Sequence, residues 1–177
     1  ISGLFLLFEG TIKIGDIIAV DGEKGKVVEI NLRSSEILTQ DDVTIIIPNS
    51  RFIVEKVINW SHDTNAVRFQ VRVSLAYSSD VELVFKCLEE AMAENKEVLN
   101  KPKSFVRFSD FGESALNFDM IFWSNNTFRI DDVKSDLRRA VYGKLNESGL
   151  SIPFPQRDIN IKGMEQMVNF KEDSVKN

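Results

Sequence analysis

Two rhythms of apolar and polar positions divide the chain. From Ile12 to about Ser61, short runs rich in β-branched residues (GDIIAV, GKVVEINL, SEILT and VTIII) are separated by turn residues at Asp21-Gly22, Gly25 and Asp41-Asp42. Closely spaced short strands with tight turns predict a small β-barrel or sandwich. The glycines of GEKGKVVEI read as hairpin glycines. The last run ends at Ile47-Pro48-Asn49-Ser50, because proline has no donor for the ladder, and Asn49 or Ser50 is placed to cap a short helical turn. A final strand from Lys56 to Trp60 would complete the unit.

Beyond His62-Asp63-Thr64-Asn65 the period changes. Val67, Phe69, Val71, Val73 and Leu75 alternate with Arg68, Gln70, Arg72 and Ser74, the mark of a strand with one buried face. Ser79-Asp80-Val81-Glu82 fits a capping box, and Val81, Val84, Phe85, Leu88, Ala91 and Met92 behind it form one helical stripe. Strands over Ser104–Phe108 and Ala115–Trp123 follow, joined by a turn at Asp110-Phe111-Gly112-Glu113. A second helix carries Val133, Leu137, Ala140, Val141 and Leu145, with Gly149 at its C′ position. If the stretch IPFPQRDINI at 152–161 supplies a last strand, the order is β-α-β-β-α-β, the split βαβ or ferredoxin-like pattern.

That last stretch is unusual. Pro153 and Pro155 lack amide donors and suit only an edge, yet Asp158-Ile159-Asn160-Ile161 alternates as a half-buried strand does. The chain stops being sheet-like and then starts again. The tail from Met164 to Asn177 is polar and is expected to be poorly ordered. At the other end the chain begins with Ile, which leads us to expect a fragment or processed form. The apolar run Leu4–Phe8 is too short for the ~20 residues of a membrane helix and lacks the basic start of a signal peptide. It reads either as a buried strand or as the stump of a longer apolar helix.

Composition narrows the chemistry. Apolar content of 43% and charged content of 28% are those of a globular protein, and the net charge of −5 argues against a nucleic-acid partner. Cys87 and His62 are the only residues of their kinds, which removes thiolate clusters, the common zinc sites and a Ser-His-Asp arrangement. Both read as ordinary core or surface residues. The carboxylates of the first helix, Glu82, Glu89, Glu90, Glu94 and Glu97, read as a solvated face. We therefore expect no catalytic residue, no metal and no cofactor. One motif points elsewhere: Phe105-Val106-Arg107-Phe108 matches the F-V-x-F end of an RNA-recognition signature. The glycine-aromatic-glycine core that should precede it is missing, so we expect Phe105 and Phe108 to be core residues.

The stretch VTIIIPNSRFIVEKVINWS resembles the signature of the small-conductance mechanosensitive channel (MscS) family, with Pro48, Asn49, Ser50 and Asn59 in its β-domain positions. SGLFLLFEGTIKIGD is similar to the end of the family's pore-lining helix, with Gly3 at a hinge-like glycine. Ala76-Tyr77-Ser78-Ser79-Asp80, Phe122-Trp123-Ser124-Asn125 and Gly149–Gln156 resemble later family positions in order. The resemblance covers residues 2–162. It departs at Glu9-Gly10-Thr11-Ile12-Lys13, where many members carry a basic Arg-Pro-Phe-like segment, and this marks a divergent subfamily.

The resemblance implies a mixed β and α+β fold. A pore-helix end over 1–10 leads into a small Sm-like β-barrel domain over 11–65. A ferredoxin-like α+β domain follows over 66–155, then a C-terminal strand over 156–162 for an intersubunit β-barrel, and a polar tail over 163–177. It further implies the cytoplasmic part of an inner-membrane channel that opens under tension and releases solutes in osmotic downshock. The chain would assemble as a homo-heptamer around a vestibule, held to the lipid bilayer by upstream helices. In that assembly Ile152–Phe154 would finish the α+β domain as an edge strand. Gln156, Arg157, Asp158, Ile159, Asn160 and Ile161 would pair with neighbouring copies, with Ile159 and Ile161 inside the barrel. The alternative is a soluble Sm-like or ferredoxin-like binding module for RNA or a small ligand.

Overall fold

The computed structural model describes residues 10–61, 66–100 and 103–159. Gly3, Asn160 and Ile161 lie outside the described residues, as do the expected pore-helix end and the polar tail. The strands of the first half are β1 (Ile17–Val20), β2 (Glu23–Ile30), β3 (Ser34–Leu38), β4 (Thr44–Pro48) and β5 (Ile58–Asn59). They form one antiparallel five-stranded sheet in the order β4-β3-β2-β1-β5, with a bulge in β2 between Val27 and Glu29. Its core is Ile18, Val20, Val27, Ile37 and Ile47, closed by Ile12 and by Phe52 of the one-turn helix α1 (Arg51–Val54).

Turn chemistry explains the tight connections. Asp21 and Gly22 both take positive φ, 52° and 85°, so the Asp-Gly pair makes the two-residue hairpin between β1 and β2. Gly25 is not a hairpin glycine. It sits within β2 opposite Ile18, where a Cβ would lie 2.2 Å from Ile37 Cγ2 and 2.7 Å from the Leu38 carbonyl. Its absent side chain lets β3 approach.

The second half contains β6 (Val67–Leu75), α2 (Val81–Glu94), β7 (Phe105–Phe111), β8 (Leu116–Ser124) and α3 (Ile130–Glu147). The strands form an antiparallel sheet in the order β6-β8-β7, and both helices cover one face. Val71, Val73 and Leu75 meet Phe118, Met120 and Phe122 there, against Val84, Leu88 and Ala91 of α2 and Val133, Leu137 and Val141 of α3. Cys87 is buried in this core, its Sγ 3.2 Å from Ser148 Oγ, as the plain reading of a lone cysteine expects. The acidic face of α2 is partly paired: Lys144 of α3 reaches Glu94 at 2.8 Å and Glu90 at 3.4 Å.

Four further local expectations are corrected. The α2 cap is Asp80, not Ser79: its carboxylate accepts from the amides of Glu82 and Leu83. The β7–β8 turn lies at 112–115, closed by the Gly112 amide donating to the Ala115 carbonyl, because β7 continues through Phe111. Phe105 and Phe108 are not both core residues. Val106 faces the helices, so Phe105 falls on the opposite face, while Phe108 stacks on Phe118 at 4.9 Å. Finally, Ile152–Phe154 do not form an edge strand in this chain. The Ala76 amide donates to the Ser151 carbonyl beside the end of β6, and the prolines at 153 and 155 have no donors with which to continue that pairing.

Candidate functional site

The signature residues of the β-domain divide into a buried stitch at Asn49, a half-buried one at Asn59 and two exposed positions. Asn49 is fully buried. Its Oδ1 accepts from Ser35 Oγ at 2.7 Å, its Nδ2 donates to the Asn31 carbonyl at 2.8 Å, and its amide donates to the Arg33 carbonyl at 2.8 Å. One side chain thus joins the end of β4 to the β2–β3 turn. Pro48 and Ser50 are exposed. Ser50 occupies the N-cap position of α1 but makes no side-chain cap bond there.

Asn59 makes the second stitch. Its Nδ2 donates to Asp16 Oδ2 at 2.7 Å, and its Oδ1 accepts from the Ser61 amide at 3.0 Å. Ser61 Oγ in turn accepts from the Ile17 amide at 2.8 Å. The β5 strand is only two residues long, and these bonds fix where the chain leaves the β-domain. Asn49 and Asn59 therefore hold two corners of the β-domain, while Pro48 and Ser50 face solvent.

The α+β sheet has a second face, away from the helices. Here Asp119, 7% exposed, accepts from Arg72 Nε at 3.0 Å and Ser109 Oγ at 2.6 Å. The Arg72 guanidinium bonded to it holds the Asp119 carboxyl below its ordinary range, against the opposing effect of burial. Phe105 and Trp123 lie on the same face at 6.5 Å, with the Arg107 guanidinium 5.6 Å from the Phe105 ring. The aromatic and basic pairing that the F-V-x-F match calls for is therefore present in part. Arg107 already covers one ring, and Ile121, opposite Phe105 on β8, is fully buried.

A groove of about 510 Å³ runs between β6 and α3, lined by Val73, Val141, Tyr142 and Ile152 with Arg72, Arg138 and Arg139 around it. Among the described residues no group of His, Cys, Asp and Glu side chains could hold a metal ion, and no helix is long and apolar enough to cross a membrane. The barrel-strand residues Gln156, Arg157, Asp158 and Ile159 are all exposed and in no regular structure, as is Phe154 at 83% exposure. The sequence reading missed the joint between the two domains. Lys24 Nζ donates to the Thr127 carbonyl at 2.8 Å, Gln40 Nε2 donates to the Phe128 carbonyl, and Trp60 stacks on Phe69 at 6.3 Å. No local pattern marks Lys24 or Gln40, since their partners lie 103 and 88 residues away.

Comparison with known proteins agrees with this two-part architecture. Residues 1–62 match the model of the mechanosensitive ion channel β-domain, and residues 69–152 match that of the mechanosensitive ion channel MscS C-terminal region. The chain is 32% identical over 161 residues to the mechanosensitive channel MscK of Escherichia coli, a match covering 91% of this chain and 14% of that protein. It is 29% identical over 164 residues to the small-conductance mechanosensitive channel of Helicobacter pylori, covering 93% of this chain and 60% of that one. The closed-state crystal structure of Helicobacter pylori MscS superposes with a TM-score of 0.80 at 30% identity, covering 92% of this chain and 64% of that chain. The chain thus spans between about a seventh and three fifths of these curated relatives. With both halves matched in order and the fold superposed, the chain belongs to the MscS family of mechanosensitive channels, as its β-domain and C-terminal region.

Proposed function

We propose that the chain is the cytoplasmic vestibule part of an inner-membrane channel that opens under membrane tension and releases solutes in osmotic downshock. The single observation that carries this reading is the ordered match of both domains to the family, joined in one superposable unit. In this reading Gly3 is a hinge of the pore helix, upstream helices anchor the protein in the bilayer, and the role is conduction rather than catalysis.

Assembly follows from the edges of the β-domain. β4 lies at one side of the sheet and β5 at the other, and among the described residues neither outer edge is paired. Ile46 on β4, Ile58 on β5 and Val54 of α1 are exposed apolar residues at 65%, 42% and 77%. Pairing β4 of one copy with β5 of the next is a head-to-tail contact, and such contacts generate rings when the rotation closes. A homo-heptamer is the ring proposed. Exposed Gln156–Ile159, continued by Asn160 and Ile161, would then meet their counterparts from neighbouring copies and remove a row of free edges.

The test is patch recording from membranes that lack other tension-gated channels and contain the protein carrying this chain. Steps in current under suction, absent without the protein, are the expected result. A silent membrane up to the lytic tension would refute the channel reading.

A further inference from the structure

The β-domain and the α+β domain are joined covalently by one strand of chain, between Ser61 and Ala66. A single link leaves two bodies free to rotate about it, and further anchors away from the link are needed to fix their orientation. The structure contains two kinds. Near the link, Trp60 stacks on Phe69 of β6, which in turn contacts the core ring Phe122 at 6.1 Å. Away from it, Lys24 and Gln40 each donate to a carbonyl of the loop that starts α3.

Lys24 is the central group of this joint. It pairs with Ala19 across the β1–β2 hairpin, and Ala19 pairs with Ile58. Trp60 stands two residues further along, so alternation puts Lys24 and Trp60 on the same side of the sheet. The ammonium sits 5.1 Å from the Trp60 ring centroid while donating to Thr127 at 2.8 Å. It thus bonds the far anchor and rests on the near one. Burial pushes its pKa below the ordinary lysine value, opposed by the nearby Asp131 carboxylate.

The receiving loop is itself fixed. Thr127 is buried and its amide donates to the Asn125 carbonyl, the Asn126 amide donates to Ser124 Oγ, and the Arg129 amide donates to Asn126 Oδ1. A pull on Lys24 therefore acts on the start of α3 and is not absorbed by a slack loop.

We propose that Lys24 is a positioning residue that locks the β-domain to the start of α3, so that a displacement of the β-domain carries the α+β domain with it. The proposal rests on the channel reading for its purpose, but its test does not need channel activity. Hydrogen exchange is compared in the protein carrying this chain, as Lys24, Lys24→Met and Lys24→Arg. Methionine keeps the apolar stem and removes the charged donor, whereas arginine can still donate to Thr127 and lie over Trp60. Losing a charge-assisted bond should speed exchange over residues 125–133 roughly tenfold or more in Lys24→Met, with β8 and the body of α2 unchanged. Lys24→Arg should restore protection. Unchanged exchange at 125–133 in Lys24→Met would overturn the proposal. So would equal loss in both variants, which assigns the effect to side-chain shape. Faster exchange throughout β8 would also overturn it, because Lys24 would then act on global stability. If the protein is silent under tension but the exchange pattern holds, the channel reading fails and the lock stands.

Discussion

Asn49 and its neighbours on either side show how one signature divides into different physical roles. Removing the Asn49 side chain leaves Ser35 Oγ and the Asn31 carbonyl without their buried partner, whereas Pro48 and Ser50 face solvent. Asn49→Ala should lower unfolding free energy by roughly 1–3 kcal/mol, and Ser50→Ala should stay within about 0.5 kcal/mol. Urea unfolding of both variants checks this, and equal losses would mean that the two residues are equivalent after all. Asp119 gives a pH prediction at the same scale. Its folded pKa is depressed, so its contribution is fully present above the unfolded carboxylate value near ~3.9 and fades as pH falls through the lower folded value. Stability of the wild type should therefore decline in acid below about pH 4, and Asp119→Asn should flatten that part of the decline. The effect is modest because the Arg72 side chain is 60% exposed. Thermal melts against pH measure it.

Elements obey their own geometry. In a regular strand, residues three apart lie on opposite faces, so Phe105 and Phe108 could not both enter one core. Phe108 stacks on Phe118 at 4.9 Å and meets Phe111 at 4.8 Å, while Phe105 packs beside Trp123 under Arg107. Phe108→Ala is expected to cost about 3 kcal/mol and Phe105→Ala clearly less. Reversal of that order in chemical denaturation would contradict the assigned faces. At the head of α2 the same reasoning separates neighbours: Asp80→Ala removes the acceptor of two orphan amides and should cost about 1 kcal/mol, while Ser79→Ala should cost little. Gly25 constrains β2 from within, since any side chain there collides with Ile37 and the backbone of β3.

For the whole molecule, the question is what the end of the chain does after its two prolines. Residues 152–159 leave the α+β domain largely exposed and pair with no strand among the described residues, with Phe154 and Ile159 at 83% and 79% exposure. In the proposed assembly this segment would pair with copies of itself. Truncation after Pro155 should leave both domains folded and reduce the size of the assembly seen by light scattering. Identical sizes with and without residues 156–177 would overturn the proposal that this segment holds copies of the chain together.

Much of this organisation was legible in the linear sequence because it is written in local periods. Alternation at Val67–Leu75 marks β6, the stripes through Leu88 and Leu137 mark the two helices, and Asp21-Gly22 marks its hairpin. Even the family was legible, through Ile-Pro-Asn-Ser and the pieces that follow it in order. Tertiary structure alone decided which face each aromatic serves, why Gly25 must be glycine, and that Lys24 reaches Thr127. Periodicity is set by neighbours a few residues apart, and so a short window of sequence contains it. A lysine's partner 103 residues away is set by where two separately folded sheets come to rest, and no window of sequence holds that distance.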